Sequence, residues 1–334
     1  MNRRSVWLSA VAGTLLLAFV AFLALSLGTV RLSPAETLHA LLFPAEAATR
    51  DAAVVWSIRL PRIVIAMLVG AALATVGAVM QAILRNPLAE PGITGVSAGA
   101  AVGAVAGITL GLAGSHQWGV PLAAFAGAAT VSLVLQTVLQ TRRDLGPATI
   151  ILVGVSISAL AGALINVLIA NAKDDALVRS ALFWLAGDLE LRSWDHVVLS
   201  LAPIVLGIAY LLSRIRALDA LALGEQIAAT SGVSVARERI LLLLVASLVT
   251  GAAVAVSGII SFVGLVVPHA VRLIVGASHA KLLPLSALGG AFFLVLADTV
   301  ARTAFGAVIV QTGVVSALVG APIFLALLLR RQRA

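Results

Sequence analysis

Of 334 residues, 61% are hydrophobic and 11% charged, and the mean hydropathy is +1.12; a soluble domain carries roughly 25% charged residues, so an ordinary globule is excluded. The formal charge is +8 and the pI 11.4, yet a single Tyr and the lack of any basic tract interleaved with aromatics exclude a nucleic-acid binder, and the charge reads as membrane topology. With no cysteine there is neither a disulfide framework nor a thiolate metal site.

Met1-Asn2-Arg3-Arg4 precedes an apolar run, Val6–Leu27, that is longer than the ~7–15 residues of a signal-peptide core and is followed by no clear cleavage site. It reads as a first span, 6–28, with the N-terminus inside. Arg59-Leu60-Pro61-Arg62 heads the second, 61–84. Arg85-Asn86-Pro87-Leu88-Ala89-Glu90-Pro91-Gly92 then forms a break, rigid because each proline disfavours helix at the residue before it. The third span, 93–113, carries Gly95, Gly99, Gly103 and Gly107 at i+4 spacing. They are expected to form one smooth face for close helix packing or for the border of a pathway.

Spans 119–140 and 147–170 follow, the latter with Asn166 as the best polar candidate inside the bilayer, where an interhelical hydrogen bond is the plainer role. After span 196–213 comes the longest inner loop, 213–238. It is expected to hold a short helix, a break at Gly224 and a second short helix ending near Gly232. Leu223, Gly224, Glu225, Gln226, Ala228 and Gly232 are its candidates for contact with a motor subunit, although an interfacial amphipathic helix would read similarly. The last spans are 239–259, 262–275 (short, with Pro268, His269 and Arg272), 282–301 and 312–329. Gly70–Gly77 echoes Gly251–Gly258, with Pro87 and Pro268 each 17 residues after the first glycine. That fits an inverted-topology repeat or a coincidence in an Ala-rich chain.

With both termini inside, the inner segments hold 14 of the 22 basic residues and five of the 14 acids, giving +9 inside and −1 outside, as the positive-inside rule requires. Arg59, Arg62 and Arg302 then fall outside. One arginine there could snorkel to headgroups; three on a slightly acidic face favour docking to an acidic partner, since a guanidinium can take a carboxylate bidentately. No Gly-Lys-Ser/Thr exists to bind ATP, no His-Glu-x-x-His binds metal, and no carboxylate cluster marks a hydrolase. The expectation is one integral membrane domain over 1–334, not an enzyme, with no catalytic, metal or cofactor residue of its own.

These stretches together resemble the FecCD family, the permease subunits of type II ABC importers for ferric siderophores, haem and cobalamin. The resemblance spans nearly the whole chain. It rests on Arg59–Arg62, Gln81 through Gly92, Leu223-Gly224-Glu225, Phe262 through Arg272, Ala297-Asp298 and Gly320-Ala321-Pro322-Ile323-Phe324. It implies an all-α polytopic protein of about ten spans in the type II ABC importer permease fold, in the bacterial cytoplasmic (inner) membrane with both termini cytoplasmic. The implied partners are a second permease copy or paralogue, two cytoplasmic ATPase subunits that hold ATP and Mg, an outer substrate-binding protein, and lipid. Arg59, Arg62 and Arg302 match the family's docking positions, and 224–232 the helices seated in the ATPase. Where the family carries Glu-x-Pro-Val-Gly, this chain has Val308 through Val315 without the Glu or Pro. A ferric siderophore is the first expected cargo, with haem or cobalamin as alternatives. The rival class, an ion-coupled secondary transporter, expects buried carboxylates that the spans barely contain.

Overall fold

The computed structural model describes residues 3–28, 30–43, 50–112, 117–141, 146–304 and 310–331. Among these there are helices and turns but no strand. In chain order the helices are α1 (Arg3–Ser26), α2 (Pro34–Leu42), α3 (Arg50–Ala53), which runs through a π turn (Val54–Arg59) into α4 (Leu60–Ile83), α5 (Val96–Thr109), α6 (Gly119–Thr141) and α7 (Pro147–Ala170). They continue with α8 (Asp175–Leu185), α9 (Trp194–Ser213), α10 (Ile215–Leu223), α11 (Glu225–Thr230), α12 (Val235–Ser257), α13 (Val263–Val275), α14 (His279–Thr303) and α15 (Thr312–Arg331). Seven of them (α1, α4, α6, α7, α9, α12 and α14) are long and apolar enough to cross a membrane, and α5, α13 and α15 are shorter apolar helices. Together these account for the ten expected spans.

The two shortest spans start inside the protein. At 1.5 Å per residue α5 and α13 rise only about 20 Å, short of a ~30 Å hydrocarbon core. The third span is therefore not helical from residue 93. Pro91–Thr94 form a 3-10 turn, Gly95 takes φ +80°, and helix begins at Val96. The eighth begins at Phe262, a non-glycine residue at φ +69°, after α12 has ended at Gly258 with φ +67°. Both breaks lie at membrane depth, because Gly264 abuts the Leu73 carbonyl in the middle of α4, and Gly95 abuts Ile157 and the Gly154 carbonyl of α7. Irregular backbone at that depth is tolerated only where protein or water covers it. Here the breaks border a cavity of about 230 Å³ lined by Leu73, Glu90, Gly92, Ser97, Ser261 and Gly264, among others. The Glu90 carboxylate in its wall has the backbone N–H of Phe262 as a polar neighbour.

Contacts between glycines set the helix crossings. A Cβ on Gly70 would lie 2.2 Å from the Gly290 carbonyl oxygen, and one on Gly290 would lie 2.1 Å from that of Gly70, so α4 and α14 touch backbone to backbone. Gly99 and Gly127 make the same contact between α5 and α6, where Gly103 also meets Ala123. Helices approach this closely in lipid because dispersion and weak Cα–H···O contacts must replace a missing hydrophobic drive. α4 lies almost wholly inside the bundle. The sequence echo persists as long helix, break, short helix in both α4–α5 and α12–α13. Its prolines are not equivalent, since Pro87 lies in the irregular segment and Pro268 inside α13.

Candidate functional site

The mouth at one end of the bundle is built around one carboxylate. Asp298, 1% exposed on α14, accepts hydrogen bonds from Arg62 Nε (3.0 Å to each oxygen), Arg62 Nη2 (2.8 Å) and Thr312 Oγ1 (2.8 Å). Arg302 Nε lies 3.2 Å from its other oxygen, an ion pair one turn along the same helix. Arg302 also donates to the carbonyls of Ala24 (3.2 Å) and Leu27 (3.5 Å). Arg59 is 4% exposed, with both terminal nitrogens donating to the carbonyls of Leu25 and Val30. The π turn accounts for its aim. Leu60 N–H reaches back to the Val55 carbonyl, and Pro61 has no N–H to donate, so the helix widens just where Arg59 turns toward the C-terminal end of α1.

This arrangement refines the expectation for the three arginines. They do converge at one face, but each already has internal partners. Arg62 and Arg302 keep 13% and 14% of their side chains exposed, whereas Arg59 braces α1. Sequence reasoning missed two members of the cluster. Asp298 stood in a quoted motif without a role, because its partner Arg62 is 236 residues away. Arg192 precedes α9, donates to the Asp188 carbonyl (3.2 Å) and lies close enough to Arg62 for their charges to interact. Burial pushes the Arg192 guanidinium below its ordinary pKa against the pull of Asp188, with Arg62 adding to the depression. Four arginines against Asp298 and Asp188 leave the mouth electropositive.

In the loop 213–238, Gly224 takes φ +125° between α10 and α11, and Gly232 takes φ +81° beyond α11. The N–H of Val233 reaches the Ala228 carbonyl (3.0 Å) and that of Gly232 the Ala229 carbonyl (3.1 Å), the hydrogen-bond pair of a Schellman ending. Leu218, Leu221 and Ala228 are buried against the bundle, while Leu223, Glu225, Gln226 and Ile227 face outward. The loop thus presents an apolar ridge on a stiff double turn. Glu225 pairs with Arg239, and Arg214 lies 3.4 Å from Glu238.

Two other expectations change. Gly99, Gly103 and Gly107 share the α5 face toward α6, but Gly95 lies outside the helix and makes the left-handed turn before it. Asn166 is exposed on α7, and among the described residues no hydrogen bond joins it to a neighbouring helix of this chain. The departure at 308–315 begins with Val308 and Ile309, which lie outside the described residues. The remainder of that stretch is firmly held, since Gly313 N–H donates to the Gly187 carbonyl (2.9 Å) and Thr312 to Asp298. Among the described residues no group of three His, Cys, Asp or Glu side chains could hold a metal.

The model of the FecCD transport family matches residues 15–330. A cobalamin import system permease of Halobacterium salinarum is 48% identical over 84% of this chain and 74% of its own. An Fe(3+) dicitrate transport system permease of Escherichia coli is 40% identical over 96% and 97% of the two chains, and a vitamin B12 import permease of Citrobacter koseri 38% over 99% and 97%. A solved structure described as an inward-facing metal-chelate type ABC transporter superposes with a TM-score of 0.84 at 31% identity, covering 97% of this chain and 99% of that one.

Proposed function

The chain belongs to the FecCD transport family, and from that premise we propose that it moves a bulky metal chelate inward through the bacterial cytoplasmic membrane. It is a multi-pass membrane protein and the translocation subunit of an ABC importer. The energy then comes from ATP held with Mg on two cytoplasmic ATPase subunits, and the pathway lies between this chain and a second permease copy or paralogue. The exposed α7 face bearing Asn166 is suited to that junction. Both termini face the cytoplasm, by the charge bias of the loops. Asp298 offers no site for an ion-coupled mechanism, as its buried carboxylate is already committed to two arginines.

The observation that carries the cargo reading is the pair of relatives named for cobalamin and ferric dicitrate, both metal ions wrapped in a large organic ligand. A ferric siderophore remains the first cargo expected from sequence. Cobalamin stands beside it on the 48% identity to a cobalamin permease. The test is uptake of radiolabelled ferric siderophore and of radiolabelled cyanocobalamin by a host lacking its own permeases and supplied with this chain, its ATPase and its binding protein. Accumulation of one is expected. Uptake of neither by an assembled complex would overturn the chelate reading.

The loop 213–238 is read as the ATPase contact, which gives a prediction. Proline at 224 cannot adopt φ +125°, and Glu225→Arg would set two cations together at Arg239. Both variants should insert normally yet fail to copurify with the ATPase or to couple hydrolysis to uptake. Wild-type uptake by both would remove this loop from the mechanism.

Docking of an outer binding protein at Arg62 and Arg302, with Arg59 bracing them through α1, is read from the excess of positive charge at the mouth. Because these arginines also hold the fold, the clean reversal is made on the partner. Changing its acidic contact residues to arginine should weaken docking more than tenfold, as interfacial pairs couple by ~1.5 kcal/mol or more. The loss should shrink as salt rises. Unchanged affinity at low salt would assign the cluster to folding alone.

A further inference from the structure

Helix α14 is held by a carboxylate at each end, and the inner one comes from the ATPase-facing loop. The backbone N–H of His279, the first residue of α14, donates to Asp219 Oδ1 at 2.9 Å, and the ring Nδ1 lies 2.6 Å from the same oxygen. Asp219 belongs to α10. Ser278, which precedes the helix, makes no side-chain cap of its own. The first N–H groups of a helix have no partner within it, and a carboxylate there also complements the positive end of the helix. Pro284 weakens this end further, because it has no N–H to give the Ala280 carbonyl. His279 is 3% exposed and its Nε2 has no partner, so its ring is oriented by Asp219 alone.

Nineteen residues along the helix from His279, ~28 Å at 1.5 Å per residue, Asp298 gathers Arg62 and Arg302 at the outer mouth. Between these ends α14 touches α4 backbone to backbone at Gly70 and Gly290. α14 is thus one continuous element with the docking cluster on one end and a residue of the coupling loop on the other.

We propose that Asp219 and His279 form the joint through which α14 transmits the state of the outer arginine cluster to α10, so that docking outside changes the ATPase-facing loop inside. This rests on the importer reading above. An acidic partner residue at the mouth competes with Asp298 for Arg62 and Arg302, which loosens the outer end of α14. The helix then shifts against α4, and the Asp219–His279 bonds carry the shift into α10. Asp219 and His279 act as positioning residues and touch no cargo.

The test uses the permease–ATPase complex in nanodiscs and reads the ratio of ATP hydrolysis with and without the cognate substrate-binding protein. Asp219→Ala and His279→Ala should lose most of that stimulation. Since the chain has no native cysteine, the pair Asp219→Cys and His279→Cys replaces the joint with a covalent one that can be opened at will. The oxidised form should regain the stimulation and the reduced form should lose it again, a reversal that a purely structural role would not produce. Undiminished stimulation in the alanine variants would overturn the proposal, as would a disulfide that fails to form or forms without restoring the response. Absence of stimulation in the wild-type complex would instead refute the importer reading of the outer cluster.

Discussion

Asp298→Ala is expected to lower stability by about 3–5 kcal/mol, the cost of breaking a buried ion pair from one side. The carboxylate is 1% exposed and answers Arg62, Arg302 and Thr312 together. Its loss leaves two guanidinium groups facing each other with no anion between them. Asp298→Asn should be milder, because the amide oxygen still accepts from Thr312 or Arg62 while the charge is gone. Pairing Asp298→Leu with Arg62→Met should recover part of the loss, since it removes one of the two guanidinium groups left without an anion and leaves only Arg302. Thermal unfolding in detergent, followed by the monodisperse fraction, reads all three. An unchanged midpoint for Asp298→Ala would mean that solvent reaches the arginines and that the cluster does not hold α4 to α14.

The second large effect concerns the crossing of those helices. Gly290→Leu would place a Cβ 2.1 Å from the Gly70 carbonyl oxygen and 2.5 Å from the Ala74 Cβ. No rotamer relieves a clash made by the Cβ itself, so the helices must part. Overpacking costs ~1–3 kcal/mol and occasionally more, and a separation here also draws α14 away from Arg62. Little folded protein should be recovered, and Gly290→Ala should already show the defect. Gly162→Ala on α7 is the contrast, with nothing within 4 Å of its added methyl. It should be neutral or gain up to about 1 kcal/mol from helix propensity. Equal yields of Gly290→Leu and Gly162→Ala would refute the close crossing.

Much of the architecture can be read from hydropathy because lipid demands apolar helices, and α6 and α7 match their expected limits within a residue. The paired turns at Gly224 and Gly232 were legible for a local reason, since both positions take a backbone angle that favours glycine. Depth was not legible. Residues 86–95 read as a break and 258–262 as a junction between spans, and only the contacts of Gly264 with Leu73 and Gly77, and of Ile93 and Gly95 with Gly154, reveal that the chain is unwound inside the bundle. The same limit hid Asp298 and Asp219, whose partners Arg62 and His279 lie 236 and 60 residues away. Arg59 misled in a different way, because charge bias gives the side of the membrane but not which carbonyls a side chain has already taken.

The two broken spans have an electrical consequence. α5 and α13 both begin beside the same cavity, with Ser97 from the first turn of one and Gly264 from the first turn of the other in its wall. A helix start carries roughly half a positive charge, so two of them would leave about one uncompensated unit inside the membrane. Glu90 lines that cavity, facing the Phe262 N–H at the start of α13. In its ionised form it would supply a balancing negative unit from the chain itself. With Glu90 ionised the recess would be polar yet close to neutral, a setting in which backbone can stand unwound at mid-depth.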